Sequence, residues 1–580
     1  MKRYDLLSLA RFLSLIVLSS VVVIACANTN EKYNSTAKAS GGGGGGGGIS
    51  DTHDNPLSPV ESRSYRVRKS KVKRPPLPAP EEIVYMELPL KQGLTTIFGD
   101  TGGREEKFFA ENSFRAVESS PLSTFSIDVD AASYTNTRGY VNRGQLPPTD
   151  AVRIEELVNY FKYDYEEPRD EHPFSFATEV SDCPWNAEHK LVRIALQGRE
   201  VHPDQALPSN IVFLIDVSGS MSDYNKLPLL KESFYKLVDA MRANDRIAIV
   251  VYAGAAGLVL ESTPGSEKEK IKKAIEDLKS GGSTAGGAGI TLAYDIAQAN
   301  FLKEGNNRVI LATDGDFNVG ISSQEELVKL IEKKRTKGIY LSVLGFGDRN
   351  FQDAKMEQLA DNGNGNYYYI DRLDEGERIL VSELSGTLYT IAKDVKLQIE
   401  FNPEKVSAYR LLGYENRVLT ALEFDDDMKD AGELGAGHNV TAFYEVVSQG
   451  ANVGYEIDTA KLEDYRLPES RPNLFTVNDI MIARLRYKNP KDSVSNLVEH
   501  LVLDERKPIE AASNEFRFAT AVVEWGLLLR KSRYVGSSSY SQVINLATSA
   551  IGSDEKGYRR EFVELVKKSE EISAKEVSAR

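Results

Sequence analysis

Residues 210–221 read NIVFLIDVSGSM. The first six, NIVFLI, form a continuous apolar run, the pattern of a strand buried on both faces of a parallel sheet. The run stops at Asp216-Val217-Ser218-Gly219-Ser220-Met221, a turn of carboxylate, hydroxyls and glycine. Beyond it Leu230, Phe234, Leu237, Val238 and Met241 recur at helical spacing. A second apolar strand follows at 246–252 (RIAIVVY), then helical patterns at 267–278 and 289–301, alternating with strands at 308–312 and 340–346. Strand and helix alternating in this way predict a doubly wound, mostly parallel α/β sheet with helices on both faces. Ligands of such sheets bind beyond the carboxyl ends of the strands, near a switch point.

Three segments fall at such ends or in loops beside them: DVSGS at 216–220, GGSTAGG at 281–287 and TDGD at 313–316. They supply Asp216, Ser218, Ser220, Thr284 and Asp314. Three hydroxyls and two carboxylates, with no His and no Cys, are hard oxygen donors suited to a small hard cation such as Mg²⁺. Two formal negative charges no more than balance a divalent ion, so the site is not over-supplied with negative charge. An open coordination position would then attract a carboxylate from a partner.

D-x-S-x-S at 216–220, a Thr in a GGST loop and T-D-G at 313–315 together resemble the metal-ion-dependent adhesion site of von Willebrand factor type A (VWA) domains. The resemblance implies that Asp216, Ser218, Ser220 and Thr284 contact Mg²⁺ or Mn²⁺ directly or through water, with Asp314 usually acting through water. One competing motif overlaps the third loop. Asp314 to Gly320 followed by Glu325 nearly fits an EF-hand calcium loop, but position six is Val319 where the turn needs Gly, and a strand precedes it instead of a helix. Asp316 and Asn318 are expected to cap the helix near Gln324 or to line the rim of the adhesion site.

Outside this region the chain divides into parts with different roles. Residues 1–25 carry Lys2, Arg3 and Arg11 and then a 14-residue apolar run, FLSLIVLSSVVVIA, the form of a signal peptide. It ends at Val23-Ile24-Ala25-Cys26, which resembles a bacterial lipobox and implies a lipid anchor on Cys26. Ala27, in place of Asp, resembles the sorting pattern for the outer membrane. Residues 26–112 read as a flexible linker. It holds eight consecutive glycines (41–48), a basic run from Arg63 to Arg74 and a proline-rich stretch at 75–80. As a coil it would reach on the order of 50 Å. The basic run is either a solvated segment or a contact for anionic lipid.

Residues 113–205 are expected to form an N-terminal domain associated with the VWA domain at 206–392, and residues 393–580 a C-terminal domain. In the first, Ile154, Leu157, Val158 and Phe161 predict a helix, and Leu191, Ile194 and Leu196 a strand. Asp128-Val129-Asp130 lacks the Thr that a D-x-D-x-T phosphatase needs, because Ala132 stands there, so turn and cap hydrogen bonding is the expected role. In the last, Val395, Leu397, Ile399 and Phe401 alternate as in a half-buried strand, residues 441–447 and 483–487 look similar, and FATAVVEWGLLLR (518–530) reads as a buried helix. These patterns predict a β-sandwich-like module and a C-terminal helical segment flanking the VWA sheet. Strands from 175–200 are expected to join that sandwich, so that the VWA domain is an insertion into a β module. Segments such as VRIEELVNYF (152–161), CPWN (183–186), YRLLGYENR (409–417) and GYRREFVELV (557–566) resemble bacterial VWA lipoproteins of the YfbK type.

Composition narrows the function. With 71 Lys+Arg against 85 Asp+Glu the net charge is −14, which disfavours a general nucleic-acid role. Two cysteines, Cys26 and Cys183, exclude a disulfide scaffold and a cysteine zinc site; Cys183 is expected to pack in a core. No Walker A loop and no paired-His metal motif occurs, and Gly281 to Ala285 follows helix and loop rather than a strand, unlike a nucleophile elbow. No enzyme is therefore expected. The leading expectation is a lipid-anchored protein of the bacterial outer membrane, on its periplasmic face or at the cell surface, that binds a protein or envelope-polymer partner through Mg²⁺ or Mn²⁺. The alternative is a structural envelope protein in which the metal only stabilises the fold.

Overall fold

The computed structural model describes residues 110–579 except 202–206, 254, 282–285, 316–323, 348–352, 384–388, 430 and 461–474. The expectations placed on Cys26, Thr284, Asp316 and Asn318, on the signal peptide and on nearly all of the linker lie outside the described residues. Among the described residues no helix is long and apolar enough to cross a membrane.

The chain opens with β1 (Phe114–Ala116), β2 (Leu122–Ser126), β3 (Phe174–Asp182) and β4 (His189–Gly198). It then builds β5 (Ser209–Asp216), β6 (Arg246–Ala253), β7 (Ala255–Pro264), β8 (Asn306–Thr313), β9 (Ile339–Phe346) and β10 (Tyr367–Ile370). These last six make one sheet in the order β10-β9-β8-β5-β6-β7, parallel throughout except for the antiparallel edge strand β7. All eight residues of β5 are buried, which is why its sequence reads as an apolar run. Its side chains alternate between two cores. Ile211, Phe213 and Ile215 pack with Leu230 and Phe234 of the helix Leu227–Ala240, while Val212 and Leu214 pack with Ile290, Tyr294 and Ala297 of the helix Gly286–Ala299.

After this sheet come β11 (Thr390–Phe401), β12 (Val406–Leu412), β13 (Val418–Leu419), β14 (Gly432–Gly435), β15 (Asn439–Ser448), β16 (Ile457–Asp458), β17 (Asp479–Lys488) and β18 (Asn496–Leu503). They combine with the first four strands into two further sheets, β16-β1-β12-β15-β4-β3 and β13-β2-β11-β17-β18, with β14 beside β11. The strands expected between 175 and 200 thus pair with C-terminal ones. β4 runs antiparallel to β15 from His189↔Val447 to Gln197↔Asn439. Residues 209–383 sit in sequence between strands that share a sheet.

All ten residues of β4 are buried, because its sheet is covered on both faces. Val192, Ile194 and Leu196 face the second sheet through Leu397, Ile399 and Met481. Leu191 and Ala195 face a helical layer with Phe516, Trp525 and Phe562. The helix Asn514–Leu529 in that layer starts at Ser513, whose hydroxyl accepts the Phe516 N–H at 3.1 Å. Cys183 is a free, buried thiol in the same core. Glu111 and Asn112, placed in the linker by sequence, belong to the folded body: Asn112 Nδ2 donates to the Gly413 carbonyl at 2.8 Å, and Arg410 pairs with Glu111 at 3.3 Å.

Asp128 and Asp130 do something other than shape a turn. Asp130 accepts the Tyr367 N–H of β10 at 2.7 Å, and both aspartates pair with Arg417 at 3.3 Å. Arg417 also reaches Asp361 at 2.8 Å and Glu357 at 3.4 Å on the helix Asp353–Asn362, while Arg153 reaches Asp353 at 2.9 Å. This network joins the parallel sheet's helices to the β framework. Asp130, Glu156 and Glu357 bring carboxylate oxygens within 4.8 Å of one another. Each is already held by the chain, Glu156 for example by the Ser133 N–H at 2.8 Å and by Arg153. Burial pushes all three carboxyls above their ordinary range.

Candidate metal centre

β5 lies at the middle of its sheet, with β6 on one side and β8 on the other, so the chain order reverses direction beside it. That is the switch point at which the carboxyl ends of adjacent strands open a crevice. Asp216 ends β5 and Asp314 follows directly on β8, which places both carboxylates at this crevice. Asp216 is fully buried. Its Oδ1 accepts the Ser218 N–H at 2.8 Å, and its Oδ2 accepts the Tyr252 hydroxyl at 3.2 Å and the Thr313 hydroxyl at 3.4 Å. Burial pushes the Asp216 carboxyl up, the Ser218 N–H pulls it down and the Asp314 charge pushes it up again. Two close carboxylates in a dry crevice favour a cation between them.

The turn after β5 is short and anchored. Met221, fully buried, pins the 3₁₀ turn Gly219–Ser222 to the core. Ser218 and Ser220 bring their hydroxyl oxygens to 2.9 Å, close enough to share one ligand, and Gly219 and Ser220 are exposed while Ser218 is buried. Gly281 donates its N–H to the Val217 carbonyl at 2.8 Å, which holds Gly281 alongside the turn. Gly289 lets the following helix lie close on the sheet, since a Cβ there would stand 2.9 Å from the Tyr252 Cβ.

Asp314 supplies the observation that tests the fit. Its Oδ2 accepts from Lys226 Nζ at 2.8 Å, but its Oδ1 is buried and takes no hydrogen bond among the described residues. A buried carboxylate oxygen without a donor is costly unless a cation meets it. With the paired hydroxyls and Asp216, the donor set is all oxygen and fits Mg²⁺ or Mn²⁺ chemistry. Four of the five residues singled out by sequence therefore converge; the fifth, Thr284, lies outside the described residues. Sequence reasoning missed Lys226 and the roles of Tyr252 and Thr313. The Tyr252 position was readable as the end of a strand neighbouring β5. Nothing in the local pattern around Lys226 tells that its amine turns back into the crevice.

Sheet, switch point and motif together define a von Willebrand factor type A domain, and the family of that description matches residues 210–380. Domains of this class commonly bind ligands, proteins among them, through a divalent metal held at such a motif. The chain belongs to the YfbK family: it is 40% identical over 486 residues to the uncharacterized protein YfbK of Escherichia coli (strain K12), covering 82% of this chain and 83% of that one. The family described as uncharacterized protein YfbK, C-terminal, matches residues 386–572, and one described as von Willebrand factor matches residues 103–193. The uncharacterized protein sll0103 of Synechocystis sp. is 30% identical over 186 residues, 32% of this chain and 43% of that one. Among solved structures, a von Willebrand factor type A protein from Catenulispora acidiphila is similar over 67% of this chain and 89% of its own, at 16% identity and a TM-score of 0.38.

Proposed function

We propose that this protein binds a partner through a divalent cation, Mg²⁺ or Mn²⁺, held by Asp216, Ser218, Ser220, Thr284 and Asp314, and that a carboxylate of the partner completes the cation's coordination. The observation that carries this reading is the convergence of Asp216, the Ser218–Ser220 hydroxyl pair and Asp314, whose buried Oδ1 takes no hydrogen bond among the described residues. When bound, the cation supplies a positive charge open to an anionic ligand. The chain's own groups set the rest. Ser218 N–H and Tyr252 hold Asp216 in one orientation, and the exposure of Gly219 and Ser220 leaves the rim of the crevice open to an incoming group. That exposure favours binding over a purely structural metal.

A pull-down from a cell-envelope fraction tests the proposal. Retention of a partner is expected in Mg²⁺ and is expected to be lost in EDTA and with Ser220→Ala. Retention that survives both treatments would contradict it. The location belongs to the same proposal: a lipid on Cys26 holds the protein at the outer membrane. Cys26→Ser is expected to shift the protein from the membrane pellet to the soluble fraction, and an unchanged pellet would count against the anchor.

A further inference from the structure

Lys226 places an ammonium inside the candidate metal centre. The residue immediately precedes the helix Leu227–Ala240 and is 5% exposed. Its Nζ donates to Asp314 Oδ2 at 2.8 Å and to the Ser220 carbonyl at 3.0 Å, so it links two of the three segments that form the site. The stem lies along Gly347, which follows β9 with φ +81°. A Cβ at position 347 would collide with Lys226 Cε, so glycine there leaves the lane the stem occupies.

Helix stability does not explain this placement. A cation at a helix N-terminus opposes the helix dipole, and the Lys226 side chain makes no capping bond. Burying an ammonium carries a further cost unless an opposite charge meets it. Asp314 meets it, on the same carboxylate that is offered to a divalent cation. A divalent cation held by Asp314 would share that buried carboxylate with a like charge, and repulsion between like charges is strong where both are buried.

We propose that Lys226 is a built-in competitor for the divalent cation. Its ammonium holds Asp314 and the Ser220 carbonyl and keeps the site's cation affinity below what its oxygen donors alone would give. A partner carboxylate adds negative charge that offsets the repulsion between the ammonium and the divalent cation. Cation and partner then raise each other's affinity, as linkage requires. The inference rests on the divalent-cation reading of this site.

Calorimetric titration of Mn²⁺ into the chelator-treated wild type, Lys226→Met and Lys226→Gln tests it. Met keeps the length of the stem without the charge, and Gln keeps a neutral donor toward Asp314. Both variants are expected to bind Mn²⁺ about tenfold or more tightly than the wild type, the sign and scale of removing a nearby like charge. Lys226→Arg, which keeps the charge, is expected to bind no more tightly than wild type. A second readout is thermal. In EDTA, Lys226→Met is expected to melt below the wild type, because Asp314 loses its partner, and Mn²⁺ is expected to raise its Tm more than it raises the wild type's. Equal or weaker Mn²⁺ binding by the neutral variants, with wild-type binding intact, would overturn the competitor role and leave the metal centre standing. Absence of Mn²⁺ binding in all four proteins would overturn both.

Discussion

Arg138→Met is expected to destabilise the protein by about 3–5 kcal/mol at pH 7, the usual cost of removing one member of a buried ion-pair network. The Arg138 side chain is completely buried and ties three distant parts of the chain together. It starts from the helix Ala132–Asn142, donates to Asp371 at 2.5 and 3.0 Å and to Glu375 at 2.9 Å after β10, and lies 3.5 Å from Glu561 on the helix Tyr558–Ala579. The Tyr160 hydroxyl completes the cluster, 2.9 Å from Arg138 and 2.8 Å from Glu375. Methionine fills the space and leaves two carboxylates short of a donor. Burial pushes the Glu375 carboxyl up, and Arg378 and Arg138 more than offset this, holding it below its ordinary range. Burial also pushes Asp371 up, and Arg138 opposes that shift.

The pH dependence of the deficit has a definite sign. Without Arg138 the folded-state Asp371 rises further above its unfolded value of about 4. A carboxyl raised in this way favours the folded state below the unfolded value, and that contribution is lost as pH rises through the folded value. The deficit of Arg138→Met is therefore expected to be smallest near pH 4.5 and largest above pH 7. Urea denaturation of wild type and variant across that range measures it. A loss under about 1 kcal/mol at pH 7, or a deficit that shrinks as pH rises, would contradict the assignment.

Asp216→Ala is expected to weaken divalent-cation binding by at least about 100-fold. Changes to groups that merely orient a metal's ligands already cost 10–100-fold, and Asp216 is one of only two carboxylates assigned to the site. The other, Asp314, shares one oxygen with Lys226. Asp216 also fixes the turn that carries the serine hydroxyls, through the Ser218 N–H, so its loss loosens two further donors. The fold is expected to survive: burial already works against the Asp216 charge, and alanine removes that penalty together with the hydrogen bonds. An unchanged circular-dichroism spectrum beside lost binding is the expected pair of results. Asp216→Ala binding Mg²⁺ like the wild type would place the cation elsewhere.

Much of this was legible because it is local. The run NIVFLI declares a strand buried on both faces, and D-x-S-x-S declares what stands at its end. The alternation of strand and helix through residue 346 sets the sheet class. The edge strand β7 is not legible in the sequence because its partner, β6, rather than its own period, determines that it forms and that it runs antiparallel. The sequence around Asp128 and Asp130 suggests only local turn hydrogen bonds, whereas their partners lie more than 230 residues away, Arg417 for both and Tyr367 for Asp130. Arg417 and Arg138 carry no local signature of burial, since the carboxylates that balance them arrive only with the fold. Lys226 belongs to the same class. Its position ahead of a helix reads as surface, and only the approach of β8 and Gly347 turns its amine inward.

The most direct test of the central claim is calorimetric titration of Mg²⁺ and Mn²⁺ into the chelator-treated wild-type protein, beside Asp216→Ala. The site described predicts one divalent cation per chain in the wild type and binding at least about 100-fold weaker in the variant. No binding in the wild type, or equal binding in both, would contradict it.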